Sequence, residues 1–229
     1  MQLDRILRRA RGKSLTEVES KALLKTYGIA LPKEGLAKTE QEAVALAKKI
    51  GFPVVAKIVS AELAHKSDAG GVMLDLKSAA DVRAAYKRLA GPVAKRVRVK
   101  ADGVLIAEQM SDGLELVLGM NRDPEMGPVI LFGAGGVELE LHRDVALAAP
   151  PLDKRTTEEL IARTRVSQLI AGYRGEAAYD KEALMKALLG LSQLVMDAGP
   201  RIVSIDINPF LLKRRGGVAL DALIVLTAR

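Results

Sequence analysis

The sequence has no cysteine, which excludes a disulfide scaffold, a thiolate zinc site and a cysteine nucleophile together. Two histidines are too few for a histidine-rich metal cluster. Tryptophan is missing and aromatic residues make up 3% of the 229 positions, so the core must be aliphatic, built from Ala, Val, Leu and Ile. Apolar runs such as Pro128–Phe132 fall far short of the ~20 residues that span a bilayer. The stretch from Met1 to Lys13 is too charged for the apolar centre of a secretory leader. These absences predict a cytoplasmic protein with no membrane association. What is present, 49% hydrophobic and 28% charged residues, is globular composition and excludes a disordered chain.

The net charge is +7. Part of the excess sits in Arg5, Arg8, Arg9, Arg11 and Lys13, part in Lys95, Arg96, Arg98 and Lys100, and part in Lys213, Arg214 and Arg215. A nucleic-acid-binding surface interleaves such clusters with stacking aromatics. These clusters have none, so no nucleic-acid partner is expected. An anionic small molecule such as a nucleotide explains a positive chain equally well.

Periodicity and punctuation predict alternating helices and strands, hence an α/β or α+β protein. Helices are expected over 14–27, closed by Gly28, and over 39–50, where Thr39 and Glu42 have capping-box spacing and Gly51 ends the run. Others are expected over 78–89, 156–170 and 180–196. Strands are expected over 52–59, 71–76, 103–109, 114–120, 127–132, 201–207 and 218–225. The Gly91–Pro92 step and the basic stretch after it mark a lobe boundary near residues 91–103.

Three stations carry chemistry. Lys57 is the single charge in the apolar strand Val54–Val59, and a buried ammonium needs a fixed anion. After it comes His65-Lys-Ser-Asp-Ala-Gly-Gly-Val72, in which Gly70 and Gly71 let backbone N–H groups approach phosphate oxygens. An ordinary hairpin turning at those glycines, with Lys57 snorkelling from an edge, is the alternative. At the second station, Gln109 and Met110 end a strand and offer backbone C=O and N–H to a purine edge. Met110 and Leu105 supply apolar faces, and Glu115 an acceptor for ribose hydroxyls. A plain hairpin with solvated acids competes with that reading. At the third, Asp206 and Asn208 share a strand face, and Asp221 follows on the next strand. This oxygen-only set suits Mg²⁺ on nucleotide phosphates, against an Asx-turn before Pro209.

In this order the stations resemble the ATP-grasp unit of nucleoside-diphosphate-forming acyl-CoA synthetases. The likeness runs from about Leu15 to the end. It is carried by Phe52-Pro-Val-Val-Ala-Lys57, His65-Lys-Ser-Asp-Ala-Gly-Gly-Val72 and Gly127-Pro-Val-Ile-Leu-Phe-Gly-Ala-Gly-Gly136. Arg163-Thr-Arg-Val166, Gly172-Tyr-Arg-Gly175 and Asp206-Ile-Asn-Pro209 complete it. The resemblance implies an ATP-grasp fold, with two α+β lobes holding ATP or ADP and Mg²⁺ between them. The expected division is an N-terminal helical segment (1–22), a small lobe (23–102) and a large lobe (103–229). It implies exchange of acyl-CoA, ADP and phosphate with carboxylate, CoA and ATP through a phosphohistidine relay, acetate being the expected acid. By the same resemblance Lys57 grips the ATP phosphates, Gly70 and Gly71 form the phosphate loop, and Glu108 and Glu115 are the adenine-hinge and ribose acids. Asn208 and Asp221 hold Mg²⁺, His65 carries the phosphoryl group, and Asp206 steadies it. His142 stands where the family shows no histidine and is expected at the surface.

The reaction also needs a CoA-binding partner, either a separate α subunit in a hetero-oligomer or a fused synthetase domain. Ala148 stands where many acetyl-CoA synthetases of this kind have an arginine. That feature looks more like fused protein-lysine acetyltransferases, whose ATP-grasp module senses nucleotide or acyl-CoA without turnover. Retention of Lys57, His65 and Asn208 favours the enzyme. Leu152, Leu160, Ile161, Val166, Leu169 and Ile170 are too many apolar residues for one surface helix, so this region is expected to face the partner.

Overall fold

A computed structural model describes residues 2–61, 70–136 and 144–228. It divides into two compact units, a larger one of Met1–Leu15, Glu19–Leu31 and Asp112–Arg229, and a smaller one of Thr16–Val18 and Pro32–Ser111. The chain opens with helices α1 (Gln2–Arg9) and α2 (Glu17–Thr26). Helix α2 starts later than residue 14 because Ser14 bridges to Val225 and the Leu15 N–H donates to the Ile224 carbonyl at 2.9 Å. Gly28 does close it, in the left-handed region at φ +79°.

The smaller unit is a four-stranded antiparallel sheet of β1 (Glu34–Ala37), β2 (Val54–Val59), β3 (Val72–Leu76) and β4 (Gly103–Glu108), in the order β1-β4-β2-β3. Because β4 lies between β1 and β2, the compact units divide at Ser111/Asp112 rather than at 102/103. Helices α3 (Glu40–Ile50) and α4 (Ala79–Arg88) cover one face. Both are capped as the sequence indicates, with one refinement. Thr39 Oγ1 accepts from the Glu42 N–H, but Glu42 Oε2 reaches back to the N–H of Lys38, one residue outside the usual reciprocal bond. Ser78, Asp81 and Lys77 repeat the arrangement at α4. Val54, Ala56 and Ile58 of β2, with Val104 and Ile106 of β4, point into the core under these helices. By alternation Val55, Lys57 and Val59 point to the other face.

The larger unit is built on an antiparallel sheet ordered β10-β8-β5-β6-β7, with β9 also on β8. Its strands are β5 (Leu114–Asp123), β6 (Gly127–Ala134), β7 (Val145–Ala148), β8 (Ile202–Leu212), β9 (Gly217–Ala219) and β10 (Leu223–Leu226). Helices α5 (Lys154–Ala162), α6 (Val166–Ile170) and α7 (Lys181–Ala198) belong to the same unit. Leu184, Leu188, Leu191 and Val195 recur at helical spacing on α7 and are buried with Phe132 and Phe210 of the sheet.

Two expectations change here. The helix expected over 156–170 is broken, because the Asp144 carboxylate accepts the N–H groups of Arg165 and Val166 at 2.8 Å each and starts a new helix there. Two short helices can both turn their apolar sides inward. Leu152, Leu160, Ile161, Val166 and Ile170 are accordingly core residues of this unit, and of the residues expected to face a partner Leu169 alone is exposed, at 42%. The last strand expected, 218–225, is likewise split into β9 and β10, leaving Asp221 in the connection.

Asp180 joins α7 to the β8–β9 turn. Its Oδ1 accepts from Ala183 N–H at 3.0 Å, its Oδ2 from Gly216 N–H at 2.7 Å, and its own N–H donates to the Lys213 carbonyl at 2.9 Å. The N–H donors of Gly216 and Ala183 hold the carboxyl below its ordinary 3.8. A depressed carboxyl stabilises the fold above the unfolded value, and that contribution disappears as pH falls through the lower folded value. Asp180→Asn, which keeps one acceptor for two donors, is therefore expected to unfold at lower urea than the parent at pH 7. The two midpoints should converge as pH drops below 3.8. A gap that is constant with pH would reject the ionised cap.

Candidate functional site

On the larger unit, β8 alternates buried Ile205 and Ile207 with exposed Asp206 and Asn208, so the two polar side chains share a face. The β5–β8 ladder carries an irregularity here. Leu116 faces Phe210 and Leu118 faces Ile207, so Asn208 and Pro209 together oppose Val117. This extra residue lets Ile207 and Phe210 both enter the core, and bulges of this kind re-aim a side chain beside a site. On the other edge β8 pairs with β9 and then with β10, whose register shifts between Val225 and Leu226. Leu223 faces Asp206 and Ala219 faces Phe210, and the Leu220 N–H donates to the Pro209 carbonyl at 3.0 Å. Asp221 lies in the connection between these two paired stretches. Asp221 Oδ1 accepts from the Ala222 N–H at 2.8 Å.

Among the described residues no group of three or more His, Cys, Asp or Glu could hold a metal ion by itself. Asp206, Asn208 and Asp221 would supply two carboxylates and one amide. Hard oxygen donors fit Mg²⁺, which takes one or two carboxylates and fills its octahedron with water and substrate phosphates. On the same unit Glu115, at the start of β5, has an exposed side chain and stands opposite Leu211 of β8. The Gly135 N–H donates to its carbonyl at 2.9 Å. Gly136 nearby is in the left-handed region at φ +61°, which favours glycine.

On the smaller unit Lys57 is in an interior strand, paired with β4 through Leu105 and with β3 through Val72. The edge-snorkelling alternative is thereby excluded. The Gly71 carbonyl accepts from the Ile58 N–H at 2.8 Å, placing the glycine pair beside Lys57. Gly70 is left-handed, at φ +61°, where a Cβ would also come within 2.8 Å of the Arg96 guanidinium. The anion that Lys57 requires is Glu17, whose Oε1 is 3.0 Å from Lys57 Nζ; the two side chains are 0% and 11% exposed. Sequence reasoning demanded this partner without finding it, since it lies 40 positions away.

Glu108, half-buried at the end of β4, donates its N–H to the Lys33 carbonyl at 2.8 Å. Gln109 donates its N–H to the Pro53 carbonyl at 3.4 Å, and its Oε1 accepts from the Asp75 N–H at 2.5 Å. Met110 beside it is half-buried. His65 and His142 lie outside the described residues. Lys57, Gly70, Gly71, Glu108, Gln109 and Met110 belong to the smaller unit, and Glu115, Asp206, Asn208 and Asp221 to the larger.

Residues 6–226 match the ATP-grasp domain family. The chain is 37% identical over 220 residues to the β subunit of ADP-forming acetate–CoA ligase I of Pyrococcus furiosus, covering 95% of this chain and 94% of that subunit. Its structure is similar to the dinucleotide-forming acetyl-coenzyme A synthetase 1 of Ca. Korarchaeum cryptofilum solved with coenzyme A and Ca-AMPCP. The TM-score is 0.90 at 38% identity over 99% of both chains. The form of that protein with coenzyme A and Mg-AMPPCP, its phosphohistidine segment pointing towards the nucleotide-binding site, gives a TM-score of 0.82 at 36% identity over 98% of both chains. In longer relatives the chain spans only 29% or 31% of the whole length. The chain belongs to the ATP-grasp family and, within it, to the group that contains the β subunits of ADP-forming acetate–CoA ligases.

Proposed function

We propose that this chain is the nucleotide-binding subunit, or the equivalent domain, of an ADP-forming acyl-CoA synthetase acting on acetate or another small carboxylic acid. It interconverts acyl-CoA, ADP and phosphate with carboxylate, CoA and ATP. A CoA-binding subunit or fused domain supplies the acyl chemistry, and the complex works in the cytoplasm. The observation that supports the reading is the shared face of Asp206 and Asn208 on β8, with Asp221 in the connection between β9 and β10, both of which pair with β8: hard-oxygen side chains on a unit whose relatives are acid–CoA ligases.

Lys57 and the N–H groups of Gly70 and Gly71 bind the polyphosphate, Lys57 as a point charge on an apolar face. Glu108, the Gln109 carbonyl and Met110 take the purine, and Glu115 accepts from the ribose. Asn208 and Asp221 would hold Mg²⁺, which neutralises charge on the phosphates when bound. In the direction of ATP use, an imidazole nitrogen of His65 attacks the γ-phosphorus. The N–P bond forms, the bond from phosphorus to the β–γ bridging oxygen breaks, and ADP leaves with that electron pair. Asp206 steadies the resulting phosphohistidine. Most catalysis of such a transfer is positioning and charge neutralisation.

Calorimetric titration of the purified chain tests the binding half of this reading. ADP is expected to bind in magnesium, and to lose roughly tenfold or more in affinity when EDTA replaces it. Equal affinity with and without the metal, or no binding of ADP at all, would overturn it.

A further inference from the structure

We propose that Glu17 is a positioning residue, which fixes the Lys57 ammonium and through it tightens the hold on the nucleotide's phosphates; this rests on the reading of Lys57 as a phosphate-binding group. The two residues belong to the same unit, and their charged atoms are 3.0 Å apart with the carboxylate side chain fully buried. Lys57 shares its sheet face with Val55 and Val59 of its own strand and with Leu105 and Ala107 across the ladder, all at most 8% exposed. Apolar residues at positions 57 and 17 together would fill that space without burying any charge. Exchanging a buried ion pair for well-packed hydrophobic residues is commonly neutral or stabilising. Stability therefore gives no reason for an ammonium here. A ligand does, and an ammonium kept for a ligand must be aimed until the ligand arrives.

Glu17 suits that task. It is the first residue of α2, where unpaired N–H groups and the helix dipole favour a negative charge. Its backbone is set by a ten-residue helix, whereas the four-carbon stem of Lys57 is flexible and surrenders rotamer freedom when pinned. The carboxylate also removes the cost of an uncompensated buried cation. Glu17→Gln opposes two effects. A more positive site attracts anions, but a neutral amide holds the ammonium less firmly than the carboxylate does at 3.0 Å, and the loss of aim is the effect expected to dominate.

The test compares ADP with adenosine, which has no phosphate, on four purified forms: the parent, Glu17→Gln, Lys57→Met and the double variant. Glu17→Gln is expected to weaken ADP binding roughly tenfold while adenosine binds as before, and the double variant should bind ADP no worse than Lys57→Met. Parent-like ADP affinity in Glu17→Gln, an equal loss for adenosine, or a further tenfold loss in the double variant would each overturn the role. If Lys57→Met binds ADP like the parent, the phosphate reading of Lys57 itself fails. Should Glu17→Gln not fold, Glu17→Asp keeps the charge and withdraws it by one methylene. The same phosphate-selective loss is expected there, and no loss or an unselective one rejects the proposal.

Discussion

His65→Ala is expected to abolish the acid-labile phosphate that γ-labelled ATP and magnesium leave on the chain. Imidazole has a pKa of ~6.5, so near neutral pH most of it is unprotonated and nucleophilic. Alanine offers no nucleophile, and the loss should exceed a hundredfold, about 2.7 kcal/mol of transition-state stabilisation. The composition makes the experiment sharp. With only two histidines in the sequence, His142→Ala is the complete complementary control and should label like the parent. Acid lability separates a phosphohistidine from phosphoserine or phosphothreonine. Label that survives His65→Ala, or disappears in His142→Ala, would move the relay elsewhere. A chain that binds ADP with magnesium and never labels, even with its CoA-binding partner, would be the non-catalytic sensor instead.

Where the relevant physics is local, the sequence was a sufficient guide. The uninterrupted apolar run around Lys57 is that of a strand buried on both faces, and β2 is one. The alternation Ile205-Asp-Ile-Asn208 put the two polar residues on one face, as β8 does. Ser78 and Thr39 announced their helices because a capping hydroxyl acts within three residues. What could not be read depends on distant partners. Lys57 required an anion, but nothing local names Glu17, which is brought there by the start of α2. The continuous apolar pattern over 156–170 gives no sign of the break, which comes from Asp144, 21 positions away from Arg165. For the same reason Leu160, Ile161, Val166 and Ile170 looked like surplus apolar surface, yet two differently aimed helices bury them in one core. Short edge elements such as β1 and β7 hold too few residues for a period of two to register.

Substitution of Asp221, proposed to hold Mg²⁺, is the second large effect expected. It sits half-exposed between β9 and β10, while the flanking Ala219, Ala222 and Ile224 are buried and anchor the connection. Asp221→Ala should therefore fold. The carboxylate it loses is one of the two proposed near the metal, and Asn208, the other proposed Mg²⁺ ligand, brings no charge to offset the removal. Phosphoryl transfer from ATP to the chain is expected to fall at least roughly a hundredfold at millimolar magnesium, since charge neutralisation at such a site is worth several kcal/mol. Asp221→Asn keeps an oxygen donor and drops the charge, so its loss should be partly restored as magnesium is raised, whereas Asp221→Ala should recover less. Adenosine binding, which engages neither phosphate nor metal, should be the same in all three forms. A parent-like labelling rate in Asp221→Ala, with an unchanged magnesium dependence, would remove Asp221 from the proposed metal set.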